Sequence, residues 1–534
     1  MKRWNGWGDT RIDYPLHPKA ADFLAAKIGP GTRPNDADFD SLVKALPDSR
    51  LPDHPLVKTD PDERLRHARG QSLPDWISLR GGRALVAPDG VVFPETDEDV
   101  RTLIDYARES GASLIPYGGG TSVVGHINPL KCERPVLTVD MRRMNRLENL
   151  DITSHIATFG AGVAGPDLEA HLRAQGFTLG HYPQSFEYST LGGWIATRSS
   201  GQQSLHYGRI ERLFAGGSIE TPEGTLNLAP YPASAAGPDL REIVLGSEGR
   251  MGIITRAALR ISTLPEREVF RGVFFPDFEA GMSAVRQILQ TGLPLSMLRL
   301  STGVETETTL ALAGHAQAIN ALERLLRLRG IDAMKSLLLF GYTGPARLSR
   351  AVLGEVQRVC RSHGGVSIGG GIFGRQWQKS RFRTPYLRNT LWEKGYAVDT
   401  LETATTWDRT ADTLKAIEEA LYSTMARYDE RLHVFSHLSH GYTQGSSIYT
   451  TYVFRLAPEP DLTLDRWQAL KAAASEAILT HGGTISHQHG VGIDHAPYLE
   501  ADKGESGLRA IRAMMKHFDS GGMMNPGKLI VTSP

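Results

Sequence analysis

The chain has 534 residues, 59 basic and 59 acidic side chains, and a formal net charge of +0. The length allows about two to four domains, and with 40% hydrophobic and 22% charged residues the chain can bury a substantial core. Zero net charge without a basic block excludes nucleic acid as a partner. The two cysteines, Cys132 and Cys360, exclude a disulfide framework and form no zinc pattern.

Residues 1–85 are punctuated by Pro and Asp and carry short helical pieces, so they read as an N-terminal extension wrapped on the main body. No apolar h-region opens the chain, no stretch approaches the roughly 18 apolar residues of a bilayer span, and Thr532-Ser533-Pro534 is not the peroxisomal Ser-Lys-Leu address. The expected location is cytoplasmic.

The next unit runs over 86–265. Thr96-Asp97-Glu98-Asp99 predicts a helix start, with Val100, Leu103, Ile104 and Ala107 on one face. An apolar strand at 112–115 then enters Pro116-Tyr117-Gly118-Gly119-Gly120-Thr121-Ser122. Three contiguous glycines let the backbone take φ > 0 and press against a ligand. Successive N–H groups there can converge on an anion, and two hydroxyls add donors. No Gly-Lys-Ser/Thr follows, so this is neither a P-loop nor a dinucleotide fingerprint. Gly160-Ala161-Gly162-Val163-Ala164-Gly165 does match G-x-G-x-x-G, with Glu187 about 20 residues on. It lies between two better cofactor segments and reads as a structural strand-to-helix turn. Those segments are Gln184-Ser185-Phe186-Glu187-Tyr188-Ser189-Thr190 running on to Thr197-Arg198-Ser199-Ser200, and the third cluster Gly246-Ser247-Glu248-Gly249-Arg250-Met251-Gly252-Ile253-Ile254. Three glycine- and hydroxyl-rich segments within one domain's length predict a large phosphate-bearing cofactor.

Residues 266–481 alternate helices and strands and form the candidate substrate domain. Residues 278–290 and 465–480 are its clearest helices. The Leu/Arg-rich stretch 321–330 followed by apolar 336–340 reads as a helix and a core strand rather than a membrane contact. Arg299 sits in the apolar run Leu298-Arg299-Leu300, where a cation needs a partner or a bound anion. Arg388, in Pro385-Tyr386-Leu387-Arg388, fits a phosphate or a surface ion pair. In the β-rich run 445–454, alternation puts Tyr449 and Thr451 on one face and Ile448, Thr450 and Tyr452 on the other. Packing explains such a tyrosine as well as catalysis does.

The last unit, 482–534, regains glycine density. His487 and His489 flank Gln488 and in an extended chain point the same way. No third metal ligand is evident nearby, so no metal is expected. Gly490 and Gly492 would let backbone approach a ligand. A final helix carries Leu508, Ile511, Met514, Met515 and Phe518 on one face, ahead of Asn525-Pro526-Gly527-Lys528.

Arg3-Trp4-Asn5-Gly6-Trp7-Gly8, the glycine loop, Gly192-Gly193-Trp194-Ile195-Ala196-Thr197-Arg198, Ser446-Ser447-Ile448-Tyr449 and Ser486-His487-Gln488-His489-Gly490 follow one another in a single order. In that order they resemble the vanillyl-alcohol-oxidase type of flavoenzymes, and within it the alkyldihydroxyacetonephosphate synthases of ether-lipid synthesis. The resemblance implies an α+β chain: a PCMH-type FAD-binding domain, then a substrate (cap) domain with an antiparallel sheet and flanking helices. The C-terminal segment would pack back on the FAD domain. The implied FAD contacts are Pro116 to Ser122, Gln184 to Thr190, Thr197 to Ser200 and Glu248 to Ile254. Some relatives attach flavin through a histidine; this family does not, so non-covalent FAD is expected although His126 follows the first loop.

The resemblance further assigns Tyr449 as catalytic, with His487 and His489 beside it. The family has three consecutive histidines where this chain has Gln488 in the middle. Arg388 and Arg299 would bind substrate. A phenol near pKa 10 needs cations or flavin to lower it before it can act as a base. The implied reaction exchanges the acyl chain of acyl-dihydroxyacetone phosphate for a fatty alcohol without net oxidation. The implied partner is a small lipid-phosphate substrate, and the family leaves room for peripheral membrane contact and a homodimer. Lys528 falls in a tail that differs from the family's and takes no role from it. The alternative is an FAD-linked 2-hydroxy acid dehydrogenase or oxidase. That group shares Gly-Ser-Glu-Gly and the Asn-Pro-Gly-Lys ending, but usually has Glu where Gln488 stands.

Overall fold

The computed structural model describes residues 2–531 except Ala84, Gly314, His315, Gly369 and Gly370, and for Ala316 the backbone alone. The terminal Thr532-Ser533-Pro534 therefore lies outside the described residues. The helix predicted after Thr96 spans Asp97–Ser110. Thr96 and Asp99 close a capping box, and Gly111 ends the helix in the left-handed region at φ 69°. Its buried face (Val100, Leu103, Ile104, Ala107) covers a three-stranded parallel sheet in the order Gly90–Val92, Val136–Asp140, Ser113–Tyr117. A five-stranded antiparallel sheet follows, in the order Leu147–Asp151, Ile156–Gly160, Ile253–Arg260, Phe214–Thr221, Gly224–Leu228. Phe159, Leu191, Trp194 and Phe214 pack in its core.

The second half is a six-stranded antiparallel sheet in the order Arg267–Phe275, Ser336–Gly344, Met297–Ser301, His433–Gly441, Gly445–Arg455, Tyr396–Thr406. Side chains alternate across it with period two. Leu298, Leu300, Phe340, Leu438, Ile448 and Tyr452 point to a helix-covered face formed with Phe278–Gln290, Ala346–Ser362, Thr410–Ala426 and Pro460–Thr480. Arg299, Leu339, Phe435, His437, Tyr449 and Thr451 point to the other face, which turns toward the first half. The alternation read for Tyr449 and Thr451 is observed. Residues 316–327 form a helix and 336–344 a strand, as read for that stretch.

Both ends of the chain dock on these halves. The Asn389 side chain bonds both the N–H and the C=O of Trp7, at 3.0 and 2.9 Å, and the helix Pro18–Ile28 lays Leu24 and Ile28 against Tyr396 and Val453. At the other end Leu114 donates to Met523 C=O and accepts from Asn525 N–H, so 523–525 lie beside the strand Ser113–Tyr117. The final helix, Leu499–Phe518, buries Leu508 and Met515. Among the described residues no helix is long and apolar enough to cross a membrane.

Candidate active site

A cavity of about 1240 Å³ runs between the two halves, above the roughly 300–1,000 Å³ of ordinary small-molecule pockets. The glycine loop forms one wall, and all of Pro116, Tyr117, Gly118, Gly119, Gly120, Thr121 and Ser122 line it. Gly120 takes φ 66°, as read for this loop, and packing adds a reason for the other two glycines. A Cβ on Gly118 would collide with Thr190 Oγ1, and one on Gly119 with the carbonyl of Tyr188. The bare backbone lets this loop lie on the second segment; protein fills the space a side chain would take. The same holds for Gly162, where a Cβ would collide with Met141 C=O, so the G-x-G-x-x-G match is a packing motif. A Cβ on Gly490 would likewise meet His126 and Glu248, and one on Gly492 would meet Val124.

From the other cofactor segments, Gln184, Ser185, Ser189, Thr190, Thr197, Ser199, Ser200, Glu248, Gly249, Gly252, Ile253 and Ile254 line the cavity. Six predicted residues do not. Phe186 is core, stacked on Phe382 at 5.1 Å. Glu187 and Tyr188 turn to Tyr386, with the two phenol oxygens 2.7 Å apart. Arg198 pairs with Glu211 and Glu242 at the surface. The Arg250 guanidinium caps Met524 C=O, and Met251 packs with Leu508 and Met515. Glu248 lines the cavity, but its carboxylate accepts from the N–H groups of Val491 (2.5 Å) and Gly492 (2.8 Å) and so clamps the C-terminal segment.

Several lining residues went unread in the sequence: His126, Gly193, Trp194, Asn525, and Trp7, Tyr14, Ala20, Phe23 and Leu24 of the N-terminal extension. The Asn-Pro-Gly-Lys turn was a signal for Asn525. Its amide donates to the carbonyls of His126 and Glu248 at 3.0 and 2.7 Å, leaving Oδ1 buried without a partner. Trp7 lies in the Arg3-Trp4-Asn5-Gly6-Trp7-Gly8 motif; nothing local marks the other N-terminal residues.

Tyr449 stands at the centre of the second wall, stacked on His437 (centroids 5.1 Å, planes 19°) and edge-on to His489 (5.7 Å, 85°). Neither neighbouring histidine lowers its pKa. Burial dominates, Glu402 and Asp399 add to it, and the phenol is pushed up to about 12. Tyr449 is therefore a neutral hydrogen-bond donor at pH 7.

The two histidines do not extend side by side. Glu402, directly across the strand pair from Tyr449, draws the backbone of 486–489 around its buried carboxylate. That carboxylate accepts from the N–H groups of His487 (2.8 Å), Gln488 (3.0 Å) and His489 (2.9 Å) and from Ser486 Oγ (2.9 Å). Three converging amides form an anion nest, filled here by the protein's own side chain. The curl sends His489 to Tyr449 and His487 away from the cavity, to Tyr442 (2.6 Å from Nε2) and His440. Gln488 and His489 line the cavity; His487 does not. Burial holds both imidazoles below their ordinary range, so both are neutral at pH 7.

Arg388 lines the cavity and is not a surface ion pair. Its Nη1 donates to Gln71 C=O at 2.7 Å, its guanidinium lies 4.5 Å from the Trp76 ring, and Nη2 is buried without a partner. Arg299 has the carboxylate an apolar strand demands: Nη2 donates to Glu305 at 2.7 Å.

The lining suits a flavin nucleotide. It offers the backbone of the glycine loop, a row of Ser and Thr hydroxyls, and the unpartnered Oδ1 of Asn525. The comparisons agree. The profile "FAD binding domain" matches residues 88–228, and "FAD linked oxidases, C-terminal domain" matches 264–529. The alkyldihydroxyacetonephosphate synthase of Trypanosoma brucei brucei is 29% identical over 100% of this chain and 93% of its own. That of Dictyostelium discoideum is 30% identical over 99% and 93%. A solved alkyldihydroxyacetonephosphate synthase superposes with a TM-score of 0.83 at 28% identity, over 98% of both chains.

Proposed function

The chain belongs to the FAD-linked oxidase family as a full-length homologue of the alkyldihydroxyacetonephosphate synthases, and from that premise we propose that it exchanges the acyl chain of acyl-dihydroxyacetone phosphate for a fatty alcohol. One observation carries the reading. The cavity that holds Arg388, Tyr449 and His489 is also lined by the apolar side chains of Leu322, Leu325, Leu339 and Phe373. A headgroup anion joined to a long chain uses both parts; a lactate-sized 2-hydroxy acid uses only the first.

The glycine loop with Ser189, Thr190 and Ser199 would hold the cofactor. Bound FAD would supply a reversible electron sink beside the reacting carbon. His126 Nδ1 is engaged by Ser122 Oγ at 2.8 Å, while Nε2, 3.2 Å from Glu248 Oε1, makes no hydrogen bond; the family resemblance is what supports non-covalent FAD. Arg388 would take the substrate phosphate on its free Nη2, its plane fixed by Trp76 and Gln71. Tyr449, neutral and buried, would donate a hydrogen bond to charge developing at the reacting oxygen. His489 would keep the phenol in place from the edge.

The test is turnover by the purified, FAD-loaded protein. Palmitoyl-dihydroxyacetone phosphate and hexadecanol should yield alkyl-dihydroxyacetone phosphate and palmitate with the flavin still oxidised, and denaturation should release free FAD. Bleaching of the flavin by D-lactate or another 2-hydroxy acid, without alkyl exchange, would establish the dehydrogenase alternative instead.

A further inference from the structure

His437 lies directly across the strand pair from Tyr449, on the cavity face of the sheet. Behind it, in the first turn of the helix Gly303–Ala313, sits the buried carboxylate of Glu305. Glu305 Oε1 is 2.9 Å from His437 Nδ1 and 2.7 Å from Arg299 Nη2. Arg299, 2.7 Å away, holds the Glu305 carboxyl below its usual range against its burial, so an ionised oxygen faces Nδ1. Arg299 Nη2, a donor, stands 3.3 Å from the same Nδ1, but it already donates to Oε1 at 2.7 Å and the carboxylate is the nearer partner of the ring; a lone pair facing that oxygen would repel it, so Nδ1 carries the hydrogen and donates. Burial, with Arg299 close by, keeps the ring neutral at pH 7. In a neutral imidazole the other nitrogen is then a bare acceptor. Among the described residues no hydrogen bond reaches Nε2.

We propose that His437 is a further catalytic residue, its Nε2 taking the hydroxyl proton of the entering alcohol, with Glu305 and Arg299 as the positioning residues that fix its tautomer. This rests on the exchange reaction proposed above. The alcohol oxygen bonds to the carbon that the carboxylate has left, its O–H bond breaks, and the proton passes to Nε2. The imidazolium, faced by Glu305, then releases that proton to water. One carboxylate and one proton thus leave for each alcohol that enters, and nothing is oxidised. Tyr449, stacked on the same ring, supplies a donor beside this acceptor.

The test uses FAD-loaded protein labelled with ¹⁵N-histidine. The resonances missing from His437→Asn identify His437, and at pH 7 they should report a protonated Nδ1 and a bare Nε2. Glu305→Gln should move the ring toward a mixture of tautomers, a shift that a packing role would not produce. Asparagine can still donate to Glu305 but has no atom at Nε2. His437→Asn should therefore keep FAD and melting temperature while losing about 10²- to 10⁴-fold in exchange rate. A protonated Nε2 in the wild type, or an Asn variant that exchanges at the wild-type rate, overturns the assignment. If His437→Asn fails to fold, the wild-type tautomer, assigned through His437→Gln, decides alone. A wild type with the expected tautomer that exchanges no chain overturns the ether-lipid reading, and with it the alcohol as proton source.

Discussion

Lys528 is buried to 1% exposure, and its Nζ donates to the carbonyls of Asn128 (2.6 Å) and Pro526 (3.2 Å). Burial, with Arg250 and Arg69 nearby, brings its pKa down to about 7, against about 10.4 in an unfolded chain. Between those two values the unfolded chain binds a proton that the folded one does not. Stability therefore rises with pH from about 7 to about 10 and is constant below, where both states are charged. The slope contributed is at most about 1.4 kcal/mol per pH unit. Lys528→Met should remove this rise. Thermal melts of wild type and variant from pH 6.5 to 10 measure it, and parallel curves would mean that Lys528 stays charged in the fold.

At the scale of elements, the two cofactor loops are built on each other. Gly119→Ala puts a Cβ into the carbonyl of Tyr188, which cannot rotate away. The cost belongs to the apoprotein: about 1–3 kcal/mol of overpacking, read as a lower melting temperature before any FAD is added. An apoprotein of unchanged stability with weakened FAD binding would show that the loop's glycines serve the ligand instead. This is also where sequence reading reaches its limit. The glycine runs, the capping box at Thr96 and the alternation that turns Tyr449 and Thr451 inward are local patterns, and each was legible. The direction of His487 was not. It follows from Glu402, 85 positions earlier, whose carboxylate gathers three consecutive amides. Phe186, Glu187, Tyr188, Arg198, Arg250 and Met251 share a segment with true lining residues, and only the turn of the backbone separates them. The pKa of Tyr449 could not be read from nearby histidines, because burial also leaves those histidines neutral.

For the molecule as a whole, the N-terminal extension packs on the body and also supplies part of the cavity wall. Lys2 Nζ donates to Gly119 C=O at 2.6 Å, Gln71 N–H to Ser122 C=O at 2.6 Å, and Gln71 C=O and Trp76 hold Arg388. Tyr14, Ala20, Phe23 and Leu24 face the cavity. Deleting residues 2–17 removes Lys2 and Trp7 but spares Gln71 and Trp76. The shortened protein should keep its sheets by circular dichroism yet release FAD at least about tenfold faster, for a loss of about 1.4 kcal/mol or more. Flavin fluorescence on dilution measures the release. An unchanged rate would reduce the extension to a surface layer.

The contact of Asn525 with His126 spans 399 positions and that of Trp7 with Asn389 spans 382. A nascent chain makes its glycine loop early, but Trp7 waits for Asn389 and the loop waits longer for Asn525. The pocket is thus completed only after the chain through Asn525 has left the ribosome. Full FAD affinity is therefore expected only of chains synthesised through Asn525, and not of shorter nascent ones.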